Sequence, residues 1–225
     1  MYPLTSDLLL RAYASGIFPM ARSRDDPRLY WIDPEERGIL PLDGFHIPGS
    51  LKKILRQERF EIRCDSAFEE VMRGCGESAP DRPDTWINEE IIALFVELFH
   101  LGLAHSVETW RQGRLVGGLY GLALGGAFFG ESMFSRESAA SKVALVHLVA
   151  RLKSGGFSLL DTQFVTDHLK RFGAVEIPRA EYQARLAAAL EERVSFNRKS
   201  SVPWQAAEGD QRPLPPLRQS STLTS

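Results

Sequence analysis

The stretch at residues 117–135, GGLYGLALGGAFFGESMFS, decides the fold, because it is the centre of a predicted β-meander. Before it, residues 106–110 alternate in polarity and 111–113 predict a turn, which indicates a first strand. Residues 114–123 form a second extended run, and residues 127–134 a third after a Gly-Gly break. Glycine inside or beside a strand weakens pairing and usually marks a bulge or a close approach of two backbones. The sequence therefore predicts three consecutive strands rich in such close approaches.

The third strand carries a carboxylate among large apolar residues. Alternation of side chains along a strand places Phe129, Glu131 and Met133 on one face of the sheet, with Phe128 and Gly130 on the other. A buried carboxylate needs a partner, and such groups cluster at sites of chemistry. Glu131 is therefore a candidate catalytic residue. The alternative is an edge-strand glutamate that reaches solvent.

The composition is that of one globular protein without extreme charge. Its 225 residues are 44% hydrophobic, enough for one substantial core and a small additional unit. With 27 basic and 29 acidic residues the net charge is −2, so any contact with nucleic acid has to come from a local patch. The start of the chain has no signal-peptide pattern, and no apolar run approaches the ~18 residues of a membrane span. We expect a cytoplasmic protein that engages no membrane.

The cysteines and histidines indicate neither a disulfide framework nor a metal site. Cys64 and Cys75 are too few for such a framework, and we expect both to be reduced thiols. The five histidines and two cysteines nowhere have the spacing of metal ligands. We therefore expect no metal, and the sequence points to no other cofactor.

Three segments divide the chain. A helix capped by Thr5 or Ser6, followed by a turn-rich stretch, predicts a small amino-terminal α/β unit over residues 1–40. The main domain is predicted over residues 41–196. Pro, Ser, Gln and Thr dominate the end of the chain, so residues 197–225 are predicted to be a disordered tail.

A helix capped by Ser50 is predicted to present the only dense basic face of the chain. Lys52 and Arg56 recur four residues apart, Lys53 lies beside them, and apolar residues occupy the other face. Such a face can bind a phosphate backbone. The alternative is an ordinary solvated helix surface.

Helices and strands alternate through the rest of the chain. Further helices are predicted at residues 66–73, where a capping box begins at Ser66, and at 88–101, 138–153, 168–172 and 179–193; further strands are predicted at 157–164 and 175–178. In the first of these strands, alternation places Leu159, Asp161 and Gln163 on one face. Strand, turn, strand, glycine-rich strand, helix, strand, helix, strand is the order of the acetyltransferase-like (GNAT) fold. The predicted class is α+β, a GNAT-like domain with a small amino-terminal unit.

Short motifs along the chain carry a more specific resemblance. They are AYASGIFP at residues 12–19, WIDP at 31–34, FHI at 45–47, AHSVETW at 104–110, LVGGLYG at 115–121, FGESMFS at 129–135, ASK at 140–142, DTQ at 161–163 and GAVEIPR at 173–179. Over residues 4–190 the chain resembles the bacterial leucyl/phenylalanyl-tRNA–protein transferases. This resemblance implies an enzyme that moves Leu or Phe from aminoacyl-tRNA to the α-amino group of proteins starting with Arg or Lys, which marks them for degradation. We expect it to be a monomer.

The resemblance also implies roles for individual residues. The polar catalytic centre matches Glu131, Asp161 and Gln163, and the basic region that meets tRNA matches Lys52, Lys53 and Arg56. The apolar pocket for the donor side chain matches Tyr13, Met20, Trp86, Phe95, Phe128, Leu148 and Leu160. For Phe95, Leu148 and Leu160 the alternative is an ordinary core position, because apolar residues at helix or strand spacing usually pack in the core.

The reaction needs little activation, because an aminoacyl ester is already activated. An α-amine with a pKa of ~7.7–8 is roughly one-tenth neutral at pH 7, whereas an aspartate with a pKa near ~3.9 is a poor direct base for it. We therefore predict that Asp161 polarises Gln163, whose carbonyl orients the amine, while Glu131 engages a cationic group of a substrate. The alternative for Asp161 and Gln163 is a buried pair that only fixes the strand.

Three other functions share parts of this pattern. An acyl-CoA-dependent N-acyltransferase needs a glycine-rich loop for pyrophosphate, and the corresponding residues 136–141, RESAAS, contain no glycine. A non-catalytic binder of basic protein amino termini would keep the same polar residues, so only turnover separates it from an enzyme. A cell-wall transferase that uses aminoacyl-tRNA usually needs two full domains, and this chain is short.

Overall fold

The computed structural model describes residues 4–21, 23–24, 26, 28–77, 85–196 and 202–208. Residues 78–84, and residues 197–201 and 209–225 of the predicted tail, lie outside the described residues. Among those that are described, no helix is both long and apolar enough to cross a membrane.

Helices and strands alternate as the sequence predicts. The helices are α1 (Ser6–Ala14), α2 (Gly49–Arg56), α3 (Phe68–Cys75), α4 (Glu89–His100), α5 (Ala140–Gly155), α6 (Asp167–Lys170) and α7 (Arg179–Leu190), with a 3-10 helix at Trp204–Ala207. The strands are β1 (Phe18–Met20), β2 (Tyr30–Ile32), β3 (Glu36–Ile39), β4 (Glu61–Cys64), β5 (Ala104–Arg111), β6 (Arg114–Leu124), β7 (Ala127–Ser135), β8 (Leu159–Gln163) and β9 (Val175–Pro178).

One seven-stranded sheet organises the molecule, in the order β4-β5-β6-β7-β8-β3-β9. The strands from β4 to β7 are antiparallel, which confirms the predicted meander, and β8 returns parallel to β7 after the α5 crossover. The class is α+β, and the order from β5 to β9 is the one expected of a GNAT-like domain.

The small amino-terminal unit is shorter than predicted. It consists of α1 and the β1–β2 pair, whereas β3, which falls within the predicted residues 1–40, lies inside the main sheet between β8 and β9. Strand pairing over this distance in sequence leaves no local signal. The boundary therefore falls before Glu36.

Two apolar cores lie on the two faces of the sheet. The first packs α2 and α5 against residues such as Val116, Leu119 and Phe128, and the second packs α1, α3, α4 and α7 against residues such as Tyr120 and Phe129. Covering both faces explains the nearly continuous burial of β6.

A β-bulge at Glu131 resets the alternation of β7. Tyr120 pairs with Ser132 but its neighbour Gly121 pairs with Gly130, so Glu131 is the extra residue. As a result Met133 packs in the core beneath α5, whereas Phe129 belongs to the opposite core. The prediction that Phe129, Glu131 and Met133 share one face is therefore wrong.

Two predicted helix caps also differ from the structure, and in the second a tertiary contact takes over the side chain. The helix predicted to be capped by Ser50 begins at Gly49 after Pro48, with no side-chain cap. Ser66 does not cap α3; instead its hydroxyl and backbone N–H both donate to the buried carboxylate of Glu108.

Part of the predicted tail is folded against the domain. Residues 202–208 include the 3-10 helix, and Val202 and Ala207 are buried in the core beside α5. Disorder is therefore the wrong prediction for this segment. Composition alone does not predict that apolar side chains such as Val202 and Ala207 pack against α5.

Candidate active site

A cavity opens where β7 and β8 separate. The two strands pair only from Ala127 with Leu159 to Phe129 with Asp161. Beyond that point residues 130–133 and 162–164 line a cavity of about 300 Å³. Its apolar walls include Phe18, Met20, Trp86, Leu145, Leu148 and Leu160, and its polar groups include Glu131, Ser132, Thr162, Gln163, Thr166 and His168.

The structure brings some of the predicted pocket residues to this cavity and places others elsewhere. Met20, Trp86, Leu148 and Leu160 line it, and Tyr13 lies directly behind Glu131.

Phe95 and Phe128 lie away from the cavity wall. Phe95 packs edge-on against Tyr120 in one core, with ring centroids 5.4 Å apart, and Phe128 contacts Phe157 and Phe196 in the other. Both are completely enclosed by protein, which is the core alternative that the sequence left open for Phe95.

Asp161 is the acceptor in a buried ion pair with Arg37. Nε and a terminal nitrogen of Arg37 donate to its two oxygens over 3.0 and 2.6 Å, and the exposure of the two side chains is 1% and 0%. The Tyr182 hydroxyl donates a third bond over 2.7 Å. Asp161 is thus fully occupied by the protein and does not line the cavity.

Arg37 is held from several sides. Its remaining terminal nitrogen donates to the carbonyl of Gly16, and its guanidinium lies 4.5 Å from the ring centres of both Phe18 and Tyr182. Burial alone would lower the pKa of Arg37, but the hydrogen bonds and charge of Asp161 outweigh it and raise that pKa. The ion pair joins β3 to β8, and the contacts of Arg37 with Gly16 and Phe18 link the small amino-terminal unit to the same place.

Gln163 is positioned through its backbone rather than through its side chain. Its N–H donates to Asp161 over 2.8 Å, and its φ of 57° lies in the left-handed region that non-glycine residues rarely occupy. Asp161 therefore acts on Gln163 through the main chain, which differs from the predicted contact with the amide. The side-chain Nε2 of Gln163 is buried on the cavity wall without a hydrogen-bond partner in the structure.

Glu131 lies across the cavity from this strand end, on the bulge of β7. The Tyr13 hydroxyl donates to its Oε1 over 2.8 Å. Burial raises the pKa of Glu131 to about 8, although the Tyr13 bond opposes that shift. The pKa of Tyr13 is raised well above its usual value by burial and then by the charge of Glu131. Glu131 thus faces the cavity with a pKa close to neutral pH.

Sequence reasoning missed several residues of this site. Arg37 and Tyr182 hold Asp161, and Thr162 and His168 lie on the cavity wall. Arg37 is 124 residues from Asp161 in the chain, so only the pairing of β3 with β8 brings them together. Of these residues, only Thr162 had a signal in the sequence, because it stands between Asp161 and Gln163, both already singled out.

Among the residues that the structure describes, no group of three or more His, Cys, Asp and Glu side chains could hold a metal ion. The polar centre at this cavity consists instead of Glu131, Gln163 and the residues that hold them.

Comparison with known proteins identifies the family. The model of the leucyl/phenylalanyl-tRNA protein transferase family matches residues 39–187, and the model of its N-terminal domain matches residues 3–35. The chain belongs to this family. The division between the two leucyl/phenylalanyl-tRNA protein transferase models falls where β3 enters the main sheet.

Two curated relatives carry the same family name. The leucyl/phenylalanyl-tRNA–protein transferase of Paramagnetospirillum magneticum is 73% identical over 207 residues, covering 92% of this chain and 99% of the relative. That of Rhodospirillum rubrum is 63% identical over 191 residues, covering 85% and 90%. A solved GCN5-related N-acetyltransferase-like protein from Streptococcus suis 89/1591 is 15% identical with a TM-score of 0.30, over 84% of this chain and 64% of that one.

Proposed function

We propose that this protein transfers leucine or phenylalanine from charged tRNA to the α-amino group of proteins that begin with Arg or Lys, in the cytoplasm, and so marks them for degradation. The observation that carries the proposal is the cavity of about 300 Å³ between β7 and β8. Its apolar walls suit a leucine or phenylalanine side chain, and Glu131 and Gln163 stand at the edge where an ester could react.

Glu131 is the proposed proton acceptor for the attacking amine, and the proton it takes then passes to the ribose oxygen that leaves as the C–N bond forms and the ester C–O bond breaks. An α-ammonium has a pKa of ~7.7–8, so a carboxylate of similar pKa can take its proton at little cost. Glu131, with a pKa raised to about 8 by burial, meets that requirement, whereas Asp161 is occupied by Arg37 and Tyr182. This replaces the cation-holding role predicted from the sequence with a proton-transfer role.

Gln163 is the proposed orienting group. Its amide carbonyl can accept a hydrogen bond from the amine, and its unpaired Nε2 can donate to the ester oxygen as negative charge develops there. Asp161 keeps Gln163 in its left-handed conformation through the backbone bond. We therefore assign Asp161 a positioning role.

The exposed part of α2 is the proposed contact with the body of tRNA. Lys53 and Arg56 are exposed, while Lys52 is half-buried and pairs with Glu208 over 2.7 Å. Counterion release from a phosphate backbone would favour binding at such a face. We also propose that the enzyme acts as a monomer.

The test is transfer of labelled amino acid from charged tRNA to peptides that differ only in their first residue. We expect Leu and Phe to be transferred to peptides beginning with Arg or Lys, and a peptide beginning with Ala to remain unlabelled. Alanyl-tRNA serves as the donor control, because an alanine side chain leaves most of the cavity empty. Binding of the Arg peptide without any turnover would identify a non-catalytic adaptor instead, and turnover with leucyl-CoA alone would identify an acyl-CoA enzyme.

A further inference from the structure

Three basic residues gather beside one wall of the cavity. His168, on α6, lines the cavity itself, and Arg171 directly follows that helix. Lys142 lies in the first turn of α5, one turn before Leu145, which lines the same wall. Both Lys142 and Arg171 are close enough to His168 to repel its protonated form.

None of the three has a carboxylate partner among the described residues. Elsewhere on the same elements, Lys170 pairs with Asp167, and Lys153 donates to the carbonyl of Glu208. The Nε2 atom of His168 is buried without a hydrogen-bond partner. A buried polar atom left unpaired is costly, and such an atom in a native protein requires an explanation.

The electrostatics of this trio favour an anion. Burial, and then the charges of Lys142 and Arg171, lower the pKa of His168, which keeps the imidazole neutral and able to donate one N–H. The whole chain has a net charge of −2, so this positive potential is a local feature. Lysine provides a point charge and arginine a planar fork, and both suit phosphate oxygens.

We propose that Lys142, His168 and Arg171 bind the phosphodiester that joins the last two nucleotides of the tRNA donor. The inference rests on the proposed function. The aminoacyl ester and this phosphodiester are attached to the same terminal ribose, so they lie one sugar apart. A donor whose side chain fills the cavity and whose ester reaches Gln163 therefore carries a phosphate near the cavity rim. In the described part of this wall, Lys142 and Arg171 are the cations without a carboxylate partner, and neutral His168 adds an N–H donor.

The experiment compares three phenylalanyl donors that differ in how much RNA they carry. They are phenylalanyl-adenosine, which has no phosphodiester, the phenylalanylated trinucleotide CCA, and full phenylalanyl-tRNA. For Lys142→Ala and Arg171→Gln we expect kcat/KM to fall about tenfold to a hundredfold with the trinucleotide and with tRNA, as for a lost charge-assisted hydrogen bond. With phenylalanyl-adenosine the change should stay within about twofold, since that donor makes no such contact.

Two matched variants serve as controls. Lys170→Ala removes an equal charge from α6 next to Arg171 and should leave all three donors within about twofold. Lys53→Ala on α2 should affect tRNA alone, because the trinucleotide does not extend to that helix. Arg171 is exposed, so Arg171→Gln tests the proposal even if Lys142→Ala fails to fold.

The outcomes separate this inference from the proposed function. Equal losses with all three donors would show that the trio only supports the cavity, and losses confined to tRNA would place its contact outside the CCA end; either result overturns the inference. If unaltered protein transfers from none of the donors, the proposed function fails. In that case, titration with uncharged CCA and with adenosine decides the phosphate site, since a site of this kind binds CCA more tightly and loses that preference in Arg171→Gln.

Discussion

At the scale of single residues, the raised pKa of Glu131 makes the stability of this protein depend on pH. Its pKa is about 8 in the folded state and near 4.5 when unperturbed. Between these values the folded state keeps a proton that the unfolded state has lost, so the free energy of unfolding falls as the pH rises. We predict that Glu131→Gln, which has no proton to lose, gains stability relative to the original protein between about pH 5 and 8, by up to a few kcal/mol.

Chemical denaturation at about pH 5, 7 and 9 measures this difference. Glu137→Gln, which removes a carboxylate paired with Arg111 at the surface, provides the control and should show no such trend. A stability difference for Glu131→Gln that stays flat from pH 5 to 9 would mean that Glu131 is already ionised at neutral pH. The pKa of Glu131 would then lie well below that of the α-ammonium group, and the match of pKa values on which the proposed proton-acceptor role rests would be absent.

The buried ion pair between Asp161 and Arg37 makes the stability of the protein sensitive to the loss of either partner. Removing one partner leaves an uncompensated charge in the core, so Asp161→Asn should lower the free energy of unfolding by about 3–5 kcal/mol. Asp33→Asn breaks the exposed pair with Arg179, whose side chains are 40% and 42% exposed, and should cost less than about 1 kcal/mol. Urea denaturation of both variants tests the contrast, and similar losses would rule out a special role for the buried pair.

At the scale of elements, the glycines of β6 allow the central strands to approach closely. A Cβ atom at Gly121 would lie 2.2 Å from the backbone oxygen of Phe129 and 2.4 Å from the ring of Phe128. These contacts flank the bulge that carries Glu131, so the glycine and the bulge belong to one local arrangement.

We predict that Gly121→Ala destabilises the protein by about 1–3 kcal/mol or more, because backbone and a packed ring have to move. Gly49→Ala is the matched substitution, since a Cβ there meets nothing within 4 Å at the start of α2. It should be neutral or slightly stabilising, as alanine favours helix. Thermal melts compare the two; an unchanged melting temperature for Gly121→Ala would show that the strands can separate without cost.

At the scale of the whole molecule, the net charge of −2 gives no general attraction to tRNA, so local faces have to supply it. On α2, Glu208 already neutralises Lys52, which leaves Lys53 and Arg56 as the exposed contacts. We predict that Lys53→Ala combined with Arg56→Ala weakens tRNA binding and reduces the slope of log K against log salt by about 2.

Binding of tRNA measured at several salt concentrations tests this prediction. Arg63→Ala is the control. Arg63 lies on β4, the strand that follows α2, where it pairs with Glu61 of the same strand and stacks on Trp110. Loss of affinity with an unchanged salt slope would indicate that the α2 residues support the fold rather than contact phosphates.

The sequence by itself determined the features that depend on local pattern. The extended runs and glycines around residues 117–135, the apolar helix patterns at residues 88–101 and 138–153, and the helix cap at Thr5 are all readable within a few residues. The same local patterns, together with the motif resemblance, were enough for the α+β class, the meander and the family. They also singled out Glu131 and Gln163, which the structure brings to one cavity.

Only the tertiary structure decided the features that depend on distant pairing. The bulge at Glu131 reverses the faces of β7 because β6 sets its register, and β3 joins the main sheet because β8 and β9 bind it. Arg37 pairs with Asp161, and residues 202–208 pack against α5. In both cases the partners are far apart in the sequence. Such contacts form because buried polar groups need hydrogen-bond partners and apolar side chains need a core to pack in. Both are supplied by residues far away in the sequence, so no short segment predicts them.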